Sequence, residues 1–340
     1  MSSYRMKIMF LISITLVNCF PTDTNSEDCE YDCVPFEECK HLKYYAEFTQ
    51  SENGVKYCSD KDNIVCCWNN EKKVIAEKKC LEFTKIRDFC SREPLIMNGS
   101  QPTPHAFPFM ALIQNRLLNQ SQYESHCGGT LLNSMFVLTA AHCVDKIKFP
   151  DREFSVLLGA HDSNNSGTRF NVTEFVHPNF TTDDPYADLA LLKLHNEADI
   201  TTKFIKPACL STSTSSTTGE YTVGGWGYHN NQNRSNVLLI GTVVKTDSKN
   251  CPDDLTFNMD KQICAGPKND LGDVCNGDSG GPLFTIHNDN DCLFEVFGVL
   301  SGGALCTLRY SFSSHTLVSF YREWIESIVW PDETQYILED

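Results

Sequence analysis

Three short runs of the sequence hold the side chains that catalysis by a serine nucleophile requires. Ser279 lies in the glycine-rich run NGDSGGP, His142 lies in TAAHC, and Asp188 begins the apolar run DLALL. A serine hydroxyl becomes a nucleophile when a histidine accepts its proton and an acid orients that histidine; backbone N–H groups must bind the oxyanion. Alone, His142 would be interpreted as a structural histidine and Asp188 as a turn acid. Together the three runs indicate acyl transfer.

The elements that position these residues are predicted to be short strands. From Ile96 onward, brief apolar runs alternate with clusters of Gly, Asn, Pro and Ser. This pattern is typical of an all-β sandwich or a pair of barrels and not of alternating strands and helices. Helical spacing over 318–329 predicts one C-terminal amphipathic helix. Strands are predicted at 109–113, 130–132, 136–139, 154–158, 189–194, 221–223, 238–245, 282–286 and 293–300.

Length and composition suit a globular protein with one large and one smaller domain. The chain has 340 residues, of which 41% are hydrophobic and 21% charged. Its net charge of −16 argues against nucleic acid or an anionic membrane surface as the main partner, because both repel an acidic protein.

The first residues predict export from the cell. Residues 1–19 combine a basic start, a short apolar stretch and small residues before Cys19, which is typical of a cleaved signal peptide. A buried N-terminal helix is the alternative, and the polar stretch that follows favours secretion. No later segment is long and apolar enough to cross a membrane. We therefore expect an extracellular protein.

The cysteine content predicts disulfides. The chain has 17 cysteines, and loss of Cys19 with the signal peptide leaves an even number. Zinc is the alternative for clustered cysteines, but paired CxxC motifs are missing, and the adjacent Cys66 and Cys67 suit disulfides better than chelation.

N-glycosylation motifs (N-x-S/T) support an exported surface. Glycosylation is expected at Asn119, Asn164, Asn171, Asn179 and Asn233, while Asn98 is expected to stay unmodified.

The chain ahead of Ile96 divides into two parts. Residues 29–67 contain six cysteines in a stretch too short to bury a core unaided, so disulfides must close it. Residues 68–95 are charged and are predicted to form a linker with one or two helical turns, tied down by Cys80 and Cys90. An acidic tail occupies 331–340.

Residues 96–330 resemble the chymotrypsin-like (trypsin-type) serine protease family. The resemblance rests on the runs CGGTL, TAAHC, DLALL, GWG and GDSGGP in the order His, Asp, Ser. It implies two six-stranded antiparallel β-barrels with a C-terminal helix. It also implies Ser279 as nucleophile, His142 as general base and then acid, Asp188 as the acid that orients it, and the N–H groups of Gly277 and Ser279 as the oxyanion hole.

The same resemblance implies a specificity pocket that departs from the family pattern. Asp273 matches the acid at the base of the pocket, so cleavage after Arg or Lys is expected. The usual Ser-Trp-Gly is here Ser301-Gly302-Gly303, which lacks the large aromatic residue. The usual Pro-Gly-Val-Tyr is here residues 312–315, so a wall glycine becomes Ser313 and the tyrosine becomes His315. Specificity is assigned to Asp273, Ser301, Gly303 and Ser313.

The resemblance further implies activation by one cut. The usual Ile-Val-Gly-Gly start matches IMNG at Ile96, so the activator would cut after Leu95 and the new α-ammonium would pair with Asp278. Residues 29–67 resemble the clip domain of arthropod serine proteases, as in the snake-type subgroup. An upstream activating protease, a downstream zymogen as protein substrate and a serpin inhibitor are the expected partners.

The run LGAH at 158–161 lacks the carboxylate that calcium-binding relatives use, so no calcium is expected. Neither another metal nor a cofactor is expected.

Disulfide pairing is carried over from these families. Cys80 and Cys292 are left over by the family pairing and are expected to pair. The predicted bridges are Cys29–Cys66, Cys33–Cys58, Cys39–Cys67, Cys90–Cys209, Cys127–Cys143, Cys251–Cys264, Cys275–Cys306 and Cys80–Cys292.

The sequence therefore predicts a secreted, trypsin-like endopeptidase zymogen of an extracellular cascade, of the kind used in arthropod immunity, melanisation or development. A non-catalytic homologue acting as cofactor or decoy is the alternative, motivated by Gly302, Ser313 and His315. A venom or digestive protease is a third, which fits the clip-like module less well.

Overall fold

The fold is described from a computed structural model. It covers residues 32–35, 57–59, 64–67, 75–86, 102–164, 166–181, 185–228, 234–247, 258–267, 278–287, 290–303, 312–331 and 333.

The first barrel is closed by six antiparallel strands in the order β4-β5-β6-β9-β8-β7. Its interior is filled by apolar side chains such as Leu112, Leu138 and Val156, all fully buried. Strand β9 adds to this core, because four of its five residues are buried and Lys193 alone faces solvent. The strands are β4 (Met110–Leu117), β5 (Glu124–Leu131), β6 (Phe136–Thr139), β7 (Arg152–Leu158), β8 (Thr168–Val176) and β9 (Ala190–Leu194).

The second barrel is closed by β15-β14-β11-β12-β13-β16, because β16 also pairs with β15. A short strand, β10 (Cys209–Leu210), joins β15 in parallel. Tyr221, Val243 and Leu283 belong to its buried cluster. This architecture confirms the predicted pair of six-stranded barrels. The strands are β11 (Glu220–Gly225), β12 (Leu239–Lys245), β13 (Gln262–Pro267), β14 (Pro282–His287), β15 (Asn290–Gly303) and β16 (Ser313–Leu317).

Two α-helices pack against each other on the outside of the barrels. The C-terminal helix α2 (Arg322–Val329) buries Trp324, Ile325 and Val329, and the predicted helix is confirmed with a start four residues later than expected. Helix α1 (Ile75–Phe83) lies in the linker and is longer than the one or two turns predicted. Among the described residues, neither helix reaches the length and hydrophobicity that crossing a bilayer requires.

Helix α1 is attached to the second barrel by a disulfide that differs from the prediction. Cys80 lies on the buried side of α1 and bonds to Cys209 of β10, with a Cα–Cα distance of 5.1 Å. The predicted bridges Cys90–Cys209 and Cys80–Cys292 are therefore wrong. The physical reason is the helix itself, which turns Ile75, Ala76, Cys80 and Phe83 toward the barrel and brings the sulfur to Cys209.

The amino-terminal segment contains a small three-stranded sheet in the order β1-β3-β2. Its strands are β1 (Asp32–Pro35), β2 (Tyr57–Ser59) and β3 (Ile64–Cys67). Both pairings are antiparallel, and Cys33 lies opposite Cys66 in the register. The cysteine side chains of residues 29–67, and with them the three predicted clip bridges, lie outside what the structure describes.

Candidate active site

His142 and Asp188 come together where the first barrel faces the second. His142 lies in a single 3-10 turn, η1 (Ala141–Cys143), directly after β6, and Asp188 follows the turn η2 (Pro185–Ala187) and precedes β9. Strands β6 and β9 pair with each other, with Thr139 opposite Ala190, so the residues that follow one and precede the other meet at the same end. The structure thus juxtaposes two of the three predicted catalytic residues.

The Asp188 carboxylate is buried, and both of its oxygens accept hydrogen bonds. Its Oδ2 lies 2.6 Å from His142 Nδ1, and its Oδ1 accepts the His142 backbone N–H at 2.9 Å. Ser301 Oγ donates to the same Oδ2 at 2.6 Å. These bonds fix Nδ1 of the imidazole as the protonated nitrogen, which leaves Nε2 as an acceptor. The His142 side chain is 30% exposed, so its imidazole is accessible from solvent.

Two further contacts hold this histidine in place. A disulfide joins Cys127 of β5 to Cys143, the residue after His142, as predicted. The His126 Nε2–H donates to the Cys143 carbonyl at 2.9 Å. Burial lowers the pKa of His126 to about 4, so its imidazole is neutral at physiological pH. The sulfurs of Cys127 and Cys143 lie close to His142 but are bonded to each other, so this cluster does not offer a set of metal ligands.

Ser279 lies in a tight turn, residues 278–281, that we call the nucleophile turn. Gly280 has φ +77, and a Cβ at this position would lie 2.6 Å from the Gly128 carbonyl oxygen, so only glycine fits. The Gly128 N–H donates to the Ser279 carbonyl at 2.7 Å. Strand β5 of the first barrel therefore supports the turn of the second barrel that carries the predicted nucleophile.

The Asp278 carboxylate lies against two glycines, Gly225 and Gly227. Its Oδ1 accepts the Gly227 N–H at 2.8 Å. A Cβ on Gly225 or Gly227 would overlap the Asp278 carboxylate, which explains why the run GWG carries glycine at both ends. The acid before Ser279 is thus held by the turn between β11 and β12.

The pocket-wall residues lie on the paired strands β15 and β16. Gly303 is opposite Ser313 in the register, two residues beyond the Ser301 that contacts Asp188. The Ser313 hydroxyl lies 2.9 Å from His315 Nε2 and 3.3 Å from the Ala265 carbonyl. Burial lowers the pKa of His315 to about 3, so the imidazole stays neutral. The Ser313 hydroxyl is therefore engaged within the sheet.

The sequence of this chain is similar to those of known proteins. The sequence profile described as Trypsin matches residues 96–325. The chain belongs to the trypsin family. It is similar to serine protease Hayan of Drosophila melanogaster, with 34% identity over 69% of this chain and 39% of Hayan. It is also similar to serine protease SSP1 of Scolopendra subspinipes, with 34% identity over 69% of this chain and 84% of SSP1.

A third relative of this trypsin-family chain matches over most of its length. Serine protease snk of Drosophila melanogaster is 28% identical over 87% of this chain and 75% of its own. That match of 334 residues is longer than the Hayan match of 256 residues. The chain covers less than two thirds of Hayan itself.

Several predicted site residues of the trypsin-family domain lie outside the described residues. Four predicted glycosylation sites, Asn119, Asn164, Asn171 and Asn179, are described and exposed. Cys264 is disulfide-bonded, and its predicted partner is outside the described part. The predicted residues and bridge partners outside it are Asp273, Gly277, Leu95, Ile96, Asn233, Cys90, Cys251, Cys275 and Cys306, together with the side chain of Cys292.

Sequence reasoning did not single out three contacts of this site. Ser301 was assigned to the pocket, yet its hydroxyl bonds the Asp188 carboxylate 113 residues away. His126 and Arg234 bond the segments around His142 and Asp278. A local motif does not reveal such pairs, because the partners are far apart in the chain.

Proposed function

We propose that this trypsin-family protein is a secreted serine endopeptidase made as a zymogen. The observation that carries the proposal is the buried Asp188 carboxylate, which accepts the backbone N–H and the ring Nδ1–H of His142 while the imidazole stays partly exposed. A histidine that served only the fold would have no need of a buried acid that orients a solvent-accessible imidazole.

In the proposed reaction, the Ser279 hydroxyl attacks the scissile carbonyl while His142 Nε2 takes its proton. Asp188 keeps the imidazole oriented and stabilises the imidazolium, and the N–H groups of Gly277 and Ser279 bind the oxyanion. The tetrahedral intermediate then expels the amine, which receives the proton from His142. Water, deprotonated by the same histidine, hydrolyses the acyl-enzyme and frees Ser279.

Activation is proposed to follow a cut between Leu95 and Ile96. The new α-ammonium would pair with the Asp278 carboxylate and order the oxyanion hole. The support for this proposal is that the carboxylate next to Ser279 is held in place by the Gly227 N–H, which donates to Asp278 Oδ1 at 2.8 Å. The Cys80–Cys209 disulfide would keep the amino-terminal part attached to the enzyme after the cut.

The proposed substrate is a protein cut after Arg or Lys, with Asp273 as the partner of the basic side chain. A downstream zymogen is the proposed natural substrate, a separate protease the proposed activator, and a serpin the proposed inhibitor. The similarity to Hayan and snk supports a place among arthropod serine proteases, and the match to snk includes much of the segment ahead of Ile96. A cascade in immunity, melanisation or development is the proposed setting.

A second candidate function is a non-catalytic homologue that binds proteins as cofactor or decoy. It is favoured by Gly302, which removes an aromatic wall from the cleft, and by His315, which replaces a tyrosine with a buried neutral imidazole. A venom or digestive protease would share the chemistry of the leading proposal.

The test uses the full chain with an enteropeptidase recognition sequence in place of residues 91–95. After verified cleavage before Ile96, hydrolysis of peptides that end in Arg, in Lys or in non-basic residues is measured for the cut chain, for its Ser279→Ala variant and for the uncut chain. Turnover in the cut chain alone is expected. Hydrolysis of other peptides but not basic ones would reject the role of Asp273. Absence of all hydrolysis would favour the non-catalytic homologue.

A further inference from the structure

The guanidinium of Arg234 occupies a half-buried position beside the nucleophile turn. Its Nε donates to the Trp226 carbonyl at 3.0 Å, its Nη2 donates to the His126 carbonyl at 3.0 Å, and its Nη1 donates to the Ser125 carbonyl. A planar fork of N–H donors suits three such acceptors, and lysine does not reproduce it. One side chain thus bonds two chain segments, β5 and the turn after β11.

Both of these segments also bond to the nucleophile turn. Two residues beyond His126, Gly128 donates its N–H to the Ser279 carbonyl at 2.7 Å. Next to Trp226, Gly227 donates its N–H to the Asp278 carboxylate at 2.8 Å. The hydrogen bond to Ser279 therefore comes from the first barrel and the hydrogen bond to Asp278 from the second. Arg234 joins the two segments that donate these bonds.

The electrostatics of the position agree with this arrangement. Burial lowers the pKa of the Arg234 guanidinium, and interactions with Tyr228 and with the Asp278 carboxylate oppose that effect. The guanidinium is a cation at every relevant pH. It therefore attracts the Asp278 carboxylate toward the turn that holds it, in addition to bonding the three carbonyls.

We propose that Arg234 is a positioning residue for Ser279, acting by joining β5 to the turn that holds Asp278. This inference rests on the proposed proteolytic function. None of the contacts described for Arg234 reaches Ser279 or the His142 ring, so its effect on the reaction is indirect. An oxyanion hole is sensitive to displacements of about 1 Å, which can reduce a rate by on the order of 10²-fold.

The test compares Arg234→Ala and Arg234→Lys with wild type after cleavage before Ile96. Arg116→Ala is the matched control: like Arg234, Arg116 donates to a backbone carbonyl and lies over a tyrosine ring, but it is on β4 and pairs with Glu153. A fluorophosphonate probe gives two readouts. The final extent of labelling counts folded sites, and the rate constant reports the alignment of Ser279.

Arg234→Ala is expected to label to the same final extent as wild type at a rate reduced by about 10- to 100-fold, with kcat reduced alike and KM within a few-fold. Arg234→Lys is expected to label at a rate between those of Arg234→Ala and wild type. Arg116→Ala is expected to label at the wild-type rate. A wild-type rate in Arg234→Ala with only a lower melting temperature would overturn the inference. If Arg234→Ala does not fold, a wild-type rate in Arg234→Lys would overturn it. Absence of labelling in wild type would instead refute the proposed function.

Discussion

Glu326 of α2 is a buried carboxyl whose ionisation should oppose the docking of α1. Its Oε1 accepts the Ala76 N–H at the start of α1 at 2.8 Å. Burial raises its pKa to about 7, although the Ala76 N–H and Arg322 favour the charged form, while Glu323 and Glu77 add to the rise. The side chain is therefore largely protonated at mildly acidic pH and becomes a buried anion above neutral pH.

The size of this effect follows from the change in pKa. A rise from 4.5 to about 7 on folding corresponds to roughly 3 kcal/mol. Because the folded-state pKa is the higher one, the folded state binds more protons in this window. The free energy of unfolding should therefore fall as pH rises from 4.5 to 7. Glu326→Gln keeps an oxygen acceptor for the Ala76 N–H and removes the ionisation.

The assay is urea unfolding with the disulfides intact, at pH 5 and pH 8. Glu326→Gln should exceed wild type by under about 1 kcal/mol at pH 5 and by about 3 kcal/mol at pH 8. Glu197→Gln, a change at an exposed position, serves as the control and should show little difference at either pH. An equal difference between Glu326→Gln and wild type at both pH values would refute the reasoning.

Three further predictions concern the catalytic residues and the disulfides. Asp188→Asn should lower kcat by on the order of 10⁴-fold in peptide hydrolysis, because an amide does not hold His142 as the carboxylate does. Gly280→Ala should abolish phosphonate labelling, because φ is +77 and a Cβ would overlap its neighbours. Peptide mapping of the non-reduced protein should recover Cys90 joined to Cys292, because Cys80 is already bonded to Cys209 and Leu293 packs against it.

Each of these predictions has a clear contrary result. Near-wild-type kcat in Asp188→Asn would remove the acid from the proposed mechanism. For the turn, Gly219→Ala is the matched control, since Gly219 has φ +69 with open space around it and should cost only about 1 kcal/mol. Equal effects of the two glycine changes would show that crowding at Gly280 is unimportant. Recovery of Cys90 or Cys292 as a free thiol would refute their pairing.

The sequence predicted the architecture well where strands carry apolar residues. The predicted 136–139 strand coincides with β6, whose four residues are all buried. Strand β16 was missed because Leu317 is the one apolar residue of SSHTL, although all five residues are buried. Strand β8 was missed because it has no continuous apolar run, and none of its nine residues is buried.

The candidate site was predictable where the chemistry is local and not where it depends on distant contacts. His142, Asp188 and Ser279 were found from short runs, because each run builds its own turn. The pairing of Cys80 with Cys209 was not found, since it depends on which side of α1 faces the barrel. The role proposed for Arg234 depends on carbonyls more than 100 residues away.

Ser279 is proposed to become a nucleophile through His142 and Asp188. Mass spectrometry of the chain, after cleavage before Ile96 and treatment with a fluorophosphonate, tests this most directly. One phosphonyl group per chain is expected, located on the peptide that contains Ser279, and no adduct is expected in His142→Ala. An unmodified Ser279 peptide in the verified cut chain, or equal labelling in His142→Ala, would contradict it.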